Sequence, residues 1–152
     1  MESCIEDARA HGRSGVCMLG AEKQKAWLSD QSFAKKFGFT AVDRTDNGYE
    51  LLALSFDGSV PRFAAGTKQM TVDAKGLTVY YDLQCPYIPQ RVEKLREHCA
   101  SNGIPAEFVL VDSLEKAKAL PCVFNNWAVF YGGKFVTVNQ IDAAMLEKLI
   151  KR

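Results

Sequence analysis

The chain has 152 residues, a net charge of +1, 47% apolar residues and 24% charged ones. These totals describe a folded chain of one ordinary domain or two small ones, with no charge block to recruit nucleic acid or an anionic membrane. No apolar run reaches the ~18 residues of a membrane span, and "MESCIEDARAHGRSG" lacks the apolar centre of a signal peptide, so a cytoplasmic location is expected.

Taken in chain order, "ESCIEDARAH" (2–11) places Ile5 and Ala8 on one helical face, and Gly12 can stop the helix. "GVCMLGA" (15–21) is a short apolar run bounded by glycines and reads as a buried strand. Ser29 or Asp30 can cap the helix "QSFAKKFG", with Gly38 as a left-handed terminator. "FTAVDRTDNGYELLALSF" reads as two strands around Asp46-Asn47-Gly48, a hairpin signal. Residues 57–76 have weak periodicity and several glycines and read as a linker, with Val60 and Phe63 able to pack on a neighbour.

The second unit, 77–152, has a clearer pattern. "LTVYYDL" is a strand. "PQRVEKLREHCASNG" is an amphipathic helix with Val92, Leu95 and Cys99 at helical spacing. "AEFVLVD" is a strand, and "SLEKAKAL" a short helix capped by Ser113. "WAVFYGGKFVTV" is a hairpin turning at Gly132-Gly133, and "DAAMLEKLIKR" a last helix capped by Asp142. The order is βαβαββα: a crossover gives parallel neighbours, and the final hairpin is antiparallel. The chain as a whole is expected to be α/β (α+β).

Five cysteines (Cys4, Cys17, Cys85, Cys99 and Cys122) show no Cys-x-x-Cys and no Cys/His metal spacing. Free thiols and no metal site are expected, with Cys4, Cys17 and Cys99 in the core. His11 and His98 are expected on exposed helix surfaces. Cys85, in "YYDLQCPYIPQ", lies between a strand and the start of a helix. There the helix dipole and free N–H groups favour a thiolate, and Pro86 suits an early helical position. Ile88 stands where a second cysteine would resolve a mixed disulfide. Cys122, after Pro121, is the alternative resolving thiol. Tyr87 and Trp127, with Pro86 and Pro121, are candidate lining for a ligand cleft.

The element order of the second unit resembles a thioredoxin-like domain. In that family a cis proline beside the active cysteine precedes the corresponding strand, a role the resemblance would give Pro121. "DQSFAKKFGFTAVDRTDNGYELLALSF", preceded by "CIEDARAHGRSGVCMLGA", resembles the C-terminal part of GNAT-family N-acetyltransferases over about residues 2–56. "GLTVYYDLQCPY" and "LPCVFNNWAVFYGGKFVTVN" resemble the YoaP-like domain that follows a GNAT domain in some bacterial proteins. The resemblance implies 1–56 as a partial GNAT domain, 57–76 as linker and 77–152 as a thioredoxin-like, YoaP-like domain. It further implies acetyl-CoA as cofactor and an amine or other small molecule as acceptor.

The departures shape the expectation. The family's glycine loop, whose N–H groups hold the pyrophosphate, has no counterpart here, because the sequence starts inside the helix that follows it. The family's tyrosine acid is replaced at the matching position by Ala34. Ser29, Ser32 and Phe33 remain as candidates for the adenosine or pantetheine side. This stretch is therefore expected to bind little acetyl-CoA and to transfer little acetyl on its own. The apolar strand 15–21 would also lack a sheet neighbour, so packing on the second unit or homodimerisation through that edge is expected. Two alternatives stand beside acetyl transfer: a ligand-binding or regulatory module acting through Cys85, and a thiol–disulfide protein using Cys85 with Cys122.

Overall fold

The computed structural model describes residues 1–25, 27–28 and 30–151, and the chain divides into two units, Met1–Lys68 and Gln69–Arg152. It is a mixed α/β structure with two sheets and five helices among the described residues.

In the first unit, α1 (Glu2–Ala10) leads into β1 (Gly15–Ala21), α2 (Ser32–Lys35), β2 (Thr40–Arg44) and β3 (Tyr49–Ser55). The strands lie in the order β1-β3-β2, antiparallel throughout. β2 and β3 join because Asn47-Gly48 supplies the turn: Gly48 has φ 81°, and Thr45 Oγ1 donates to Asn47 Oδ1 at 2.7 Å. Pairing of Val16 with Leu54 and Met18 with Leu52 puts these four on one face. There they meet Ala34 and Phe39, with Met1 and Ile5 reaching in from α1. Each large side chain so buried contributes roughly 1.5–3 kcal/mol.

The helix expected over 31–38 is shorter. Only Ser32–Lys35 is α-helical; Asp30 Oδ1 accepts the Ser32 N–H ahead of it, and Gly38 (φ 85°) ends the following turn. The opposite sheet face carries Cys17, paired with Ala53, and two core assignments are corrected: Cys17 is exposed, as is Cys4 on α1. β1 is an edge strand with one face only partly covered, so its apolar run does not bury every side chain.

The second unit contains β4 (Leu77–Tyr81), α3 (Ile88–Ser101), β5 (Ala106–Leu110), α4 (Leu114–Lys118), β6 (Trp127–Tyr131), β7 (Lys134–Thr137) and α5 (Ala143–Ile150). The sheet order is β5-β4-β6-β7, with β4 parallel to β5 and antiparallel to β6, and β6 antiparallel to β7. The element order βαβαββα is that expected from the sequence. Ser113 Oγ accepts the Lys116 N–H and Asp142 Oδ1 the Met145 N–H, so both expected caps form. Gly132 and Gly133, at φ 57° and 82°, turn the final hairpin. Leu77, Val79, Trp127 and Val129 face a core shared with Ile88, Val92, Leu95 and Cys99 of α3, and with Leu146 of α5.

Residues 57–76 are divided between the units. Asp43 accepts the Phe63 N–H and pairs with Lys68, which ends a single 3-10 turn in the first unit. In the second unit the Met70 N–H donates to the Pro121 carbonyl, and Val72 N–H to that of Gly133.

Candidate functional site

Two places are candidates for a site. The first is the turn 82–87, at the C-terminal end of β4. Asp82, almost buried, accepts the Gln84 N–H through Oδ1 and donates its own N–H to Asn126. This fixes the loop over the start of β6. Cys85 is half-buried against the core that contains Trp127, and Gln140 Nε2 donates to its Sγ at 3.8 Å. The Cys85 carbonyl accepts the Ile88 N–H, so the thiol precedes the first helical residue by three positions.

Several details depart from expectation. Pro86 is not in the helix; α3 starts at Ile88, and Pro89 takes the early helical place that needs no N–H. Among the described residues no peptide bond is cis, so Pro121 follows a trans bond, and its buried carbonyl holds Met70. Pro86, Tyr87, Pro121 and Trp127 do not line one open cleft. Trp127 is 0% exposed and belongs to the core, Pro121 is buried, and Tyr87 is 72% exposed. The Trp127 Nε1–H is buried and has no hydrogen-bond partner.

Cys122 is buried, and desolvation pushes its thiol up to about 12. It also helps raise the Tyr80 phenol, behind burial and Glu107, which places it near that ring. Tyr80 stacks edge-on to Phe130, while its chain neighbour Tyr81 packs with Cys85 against the Trp127 core. Successive strand residues point to opposite faces, so the two thiols belong to opposite faces of the sheet. Both are free thiols. His98 is not fully exposed: its Nε2 is buried, 3.7 Å from Glu147 Oε1. Among the described residues no three metal-binding side chains are grouped, and no helix is long and apolar enough to cross a membrane.

The second place is a groove of about 260 Å³ in the first unit. Its floor is Gly15, Cys17, Ala53 and Ser55, and Val60 and Pro61 form its wall. A Cβ on Gly15 would meet the Leu54 carbonyl oxygen, so only glycine lets β1 lie this close to β3. The outer edge of β1 has no strand beside it among the described residues. Of the residues expected on the adenosine or pantetheine side, Ser29 lies outside the described residues. Ser32 donates its Oγ–H to Asp30, and Phe33 is 49% exposed, with its ring edge-on to Phe37. Ala34, which the resemblance sets at the position of an acid, is buried.

Sequence reasoning missed Glu50. Its side chain is fully buried on β3, with Oε1 accepting from Arg44 Nη2 at 2.6 Å and Oε2 without a partner. The only hint in the sequence was a lone acid beside the apolar run "LLALS".

Comparison with known proteins bears on both units. A protein named "Uncharacterized N-acetyltransferase YoaP", from Bacillus subtilis (strain 168), is 32% identical over 152 residues, 99% of this chain. The YoaP-like family profile matches residues 105–148, from β5 into α5. Residues 105–148 are YoaP-like. The chain spans 61% of the length of its Bacillus relative. No solved structure matches it.

Proposed function

We propose that the chain serves N-acetyl transfer from acetyl-CoA to an amine, in the manner of GNAT-type enzymes. In this reading the first unit is acetyltransferase sheet, and the second is a thioredoxin-like accessory domain. The observation that carries it is the similarity to a protein named as an N-acetyltransferase, which covers 99% of the chain and so both units.

The first unit offers chemistry suited to one segment of acetyl-CoA. The pantetheine arm is an extended, largely apolar chain with two amides. Among the described residues no strand pairs with the outer edge of β1, where the Ala21 carbonyl accepts the Gln31 N–H, and the neighbouring groove is lined by Val16, Cys17, Val60 and Pro61. An extended bis-amide can add to such an edge as a strand would. When bound, the cofactor would supply the activated acetyl group. The chain's own residues would orient the arm and keep water from its apolar part. Ala34 has no proton to give a departing thiolate. The 152 residues by themselves should therefore hold acetyl-CoA weakly, at about millimolar dissociation constants, and turn it over slowly.

Protection of Cys17 tests this reading. Acetyl-CoA should slow alkylation of Cys17, which lines the groove, and leave that of Cys4 on α1 unchanged. Equal alkylation of Cys17 with and without millimolar acetyl-CoA would sink it.

A second reading makes the second unit a thiol-capture or regulatory module acting through Cys85. It is favoured by the Gln140 amide beside Sγ and by the idle Trp127 N–H in the adjoining core. The two-thiol variant with Cys122 fits less well, because that thiol is buried and strongly protonated. Mixed-disulfide formation at Cys85 with a small disulfide, absent in Cys85→Ser and slower in Gln140→Ala, is the expected result. Indifference to Gln140 would refute the arrangement.

A further inference from the structure

A groove of about 330 Å³ lies between α3 and the start of α5 in the second unit, at the small end of the ~300–1,000 Å³ typical of ligand sites. Tyr87, Gln90, Arg91 and Lys94 line one side, and Asp142 the other. Gln90, Arg91 and Lys94 fall along one face of α3, and Tyr87 immediately precedes its first residue. The backbone beneath them is fixed, because the Arg91 N–H donates to the Tyr87 carbonyl.

The chemistry of this groove is mixed in a particular way. Among the described residues neither Arg91 nor Lys94 makes an ion pair or stacks on a ring, whereas Arg44, Lys68, Lys116 and Lys151 pair with acids and Arg96 lies over Phe108. Two cations against the single carboxylate of Asp142 leave the groove net positive and attract an anion. The Tyr87 ring, 72% exposed beside them, offers a face to a flat, apolar group. Asp142 Oδ1 holds the Met145 N–H, and its carboxylate and the Gln90 amide are left to meet donors such as hydroxyls or an exocyclic amine. An inorganic anion would use only the cations, and a plain aromatic only the tyrosine.

We propose that this groove binds a nucleoside phosphate, with phosphate on Arg91 and Lys94, the base on Tyr87, and sugar or base donors toward Asp142 and Gln90. The ligand is a free mononucleotide or the nucleotide end of a larger cofactor, which carry the same groups. The site is independent of the acetyl-transfer reading, which concerns the first unit.

The test is calorimetric titration of the full chain, at low salt, with AMP, adenosine, inorganic phosphate and coenzyme A. Saturable AMP binding is expected, with adenosine, which loses the charge-assisted contacts, and phosphate, which loses the ring contact, each at least about tenfold weaker. Arg91→Glu with Lys94→Glu should abolish AMP binding, and Tyr87→Ala should weaken it while leaving phosphate unchanged. All three side chains reach solvent, and circular dichroism checks that the variants fold. The milder Lys94→Gln should give an intermediate loss. Coenzyme A binding much more tightly than AMP, with the same loss in the double variant, would assign the groove to the larger cofactor. Phosphate binding as tightly as AMP, or AMP binding unchanged in the double variant, would overturn the proposal. AMP binding absent while acetyl-CoA still protects Cys17 would also overturn it, and would leave acetyl transfer standing.

Discussion

Replacing Glu50 by glutamine should leave the first unit nearly as stable as before, whereas replacing its partner Arg44 by alanine should damage it. The Glu50 side chain has 0% exposure and Arg44 58%. One carboxylate oxygen accepts from Arg44 and the other from nothing, so half of a charged group is desolvated without return. Glutamine keeps the shape and the acceptor facing Arg44. It exchanges an orphaned charged oxygen for an orphaned amide, and the freed arginine is already hydrated. The net change should lie within about 1 kcal/mol of zero. Arg44→Ala instead leaves a buried carboxylate with neither oxygen paired. Breaking a buried pair this way costs ~3–5 kcal/mol, and the exposure of Arg44 argues for the lower end, about 3 kcal/mol. For a unit of this size each kcal/mol moves the midpoint by ~4–8 °C, so the two variants should melt about 10 °C or more apart. The chain has two tryptophans, and Trp27 stacks on Tyr49, the neighbour of Glu50. In a Trp127→Phe background, Trp27 fluorescence reports the first unit alone. A loss in Glu50→Gln equal to that in Arg44→Ala would refute the reasoning.

Three other outcomes are expected. Iodoacetamide at mild alkaline pH should label Cys4 and Cys17 first and Cys122 only on unfolding, read by peptide mass; native labelling of Cys122 at the rate of Cys17 would contradict its burial and its thiol near 12. Asp43 is held at about 2 instead of the ordinary 3.8, chiefly by the Lys68 side chain and then by the Phe63 N–H. Its folded value lies below the unfolded one, so its contribution is present above about pH 4 and fades as pH falls toward 2; the Phe63 amide should lose protection over that window, and Asp43→Asn should remove the dependence. Gly76→Ala should weaken the β4–β5 pairing by roughly 1–3 kcal/mol or more, because a Cβ there overlaps the Pro105 carbonyl oxygen, which already accepts the Leu77 N–H; urea midpoints check this, and an unchanged midpoint would mean that the strands separate freely.

What the sequence made legible was mostly local. Gly48, Gly132 and Gly133 mark turns because the backbone there needs positive φ, and Ser113 and Asp142 cap helices with their own side chains. Strand and helix order in the second unit followed from these signals and from apolar spacing. What stayed hidden depended on coverage. "GVCML" has no alternation to say that Cys17 lies on the less covered face of an edge strand. Trp127 is enclosed by its own strand and the helices above it, which no residue spacing announces. Glu50 was invisible as a site because its partner is set by hairpin register rather than by spacing along the chain.

That register has a consequence for chain length. β2 and β3 pair as Ala41 with Leu52 and then Asp43 with Leu51, so the register shifts by one and Val42 is the extra residue. Without the shift Asp43 would stand opposite Glu50, carboxylate against carboxylate. With it, Arg44 does. Removing Val42 would restore even pairing and still leave Asp43 opposite Leu51 and Arg44 opposite Glu50. Adding a residue between Asp43 and Arg44 would break up at least one of these pairs. The hairpin should thus tolerate a deletion at this one point and reject an insertion one step later, an asymmetry that a scan of single-residue indels would read directly.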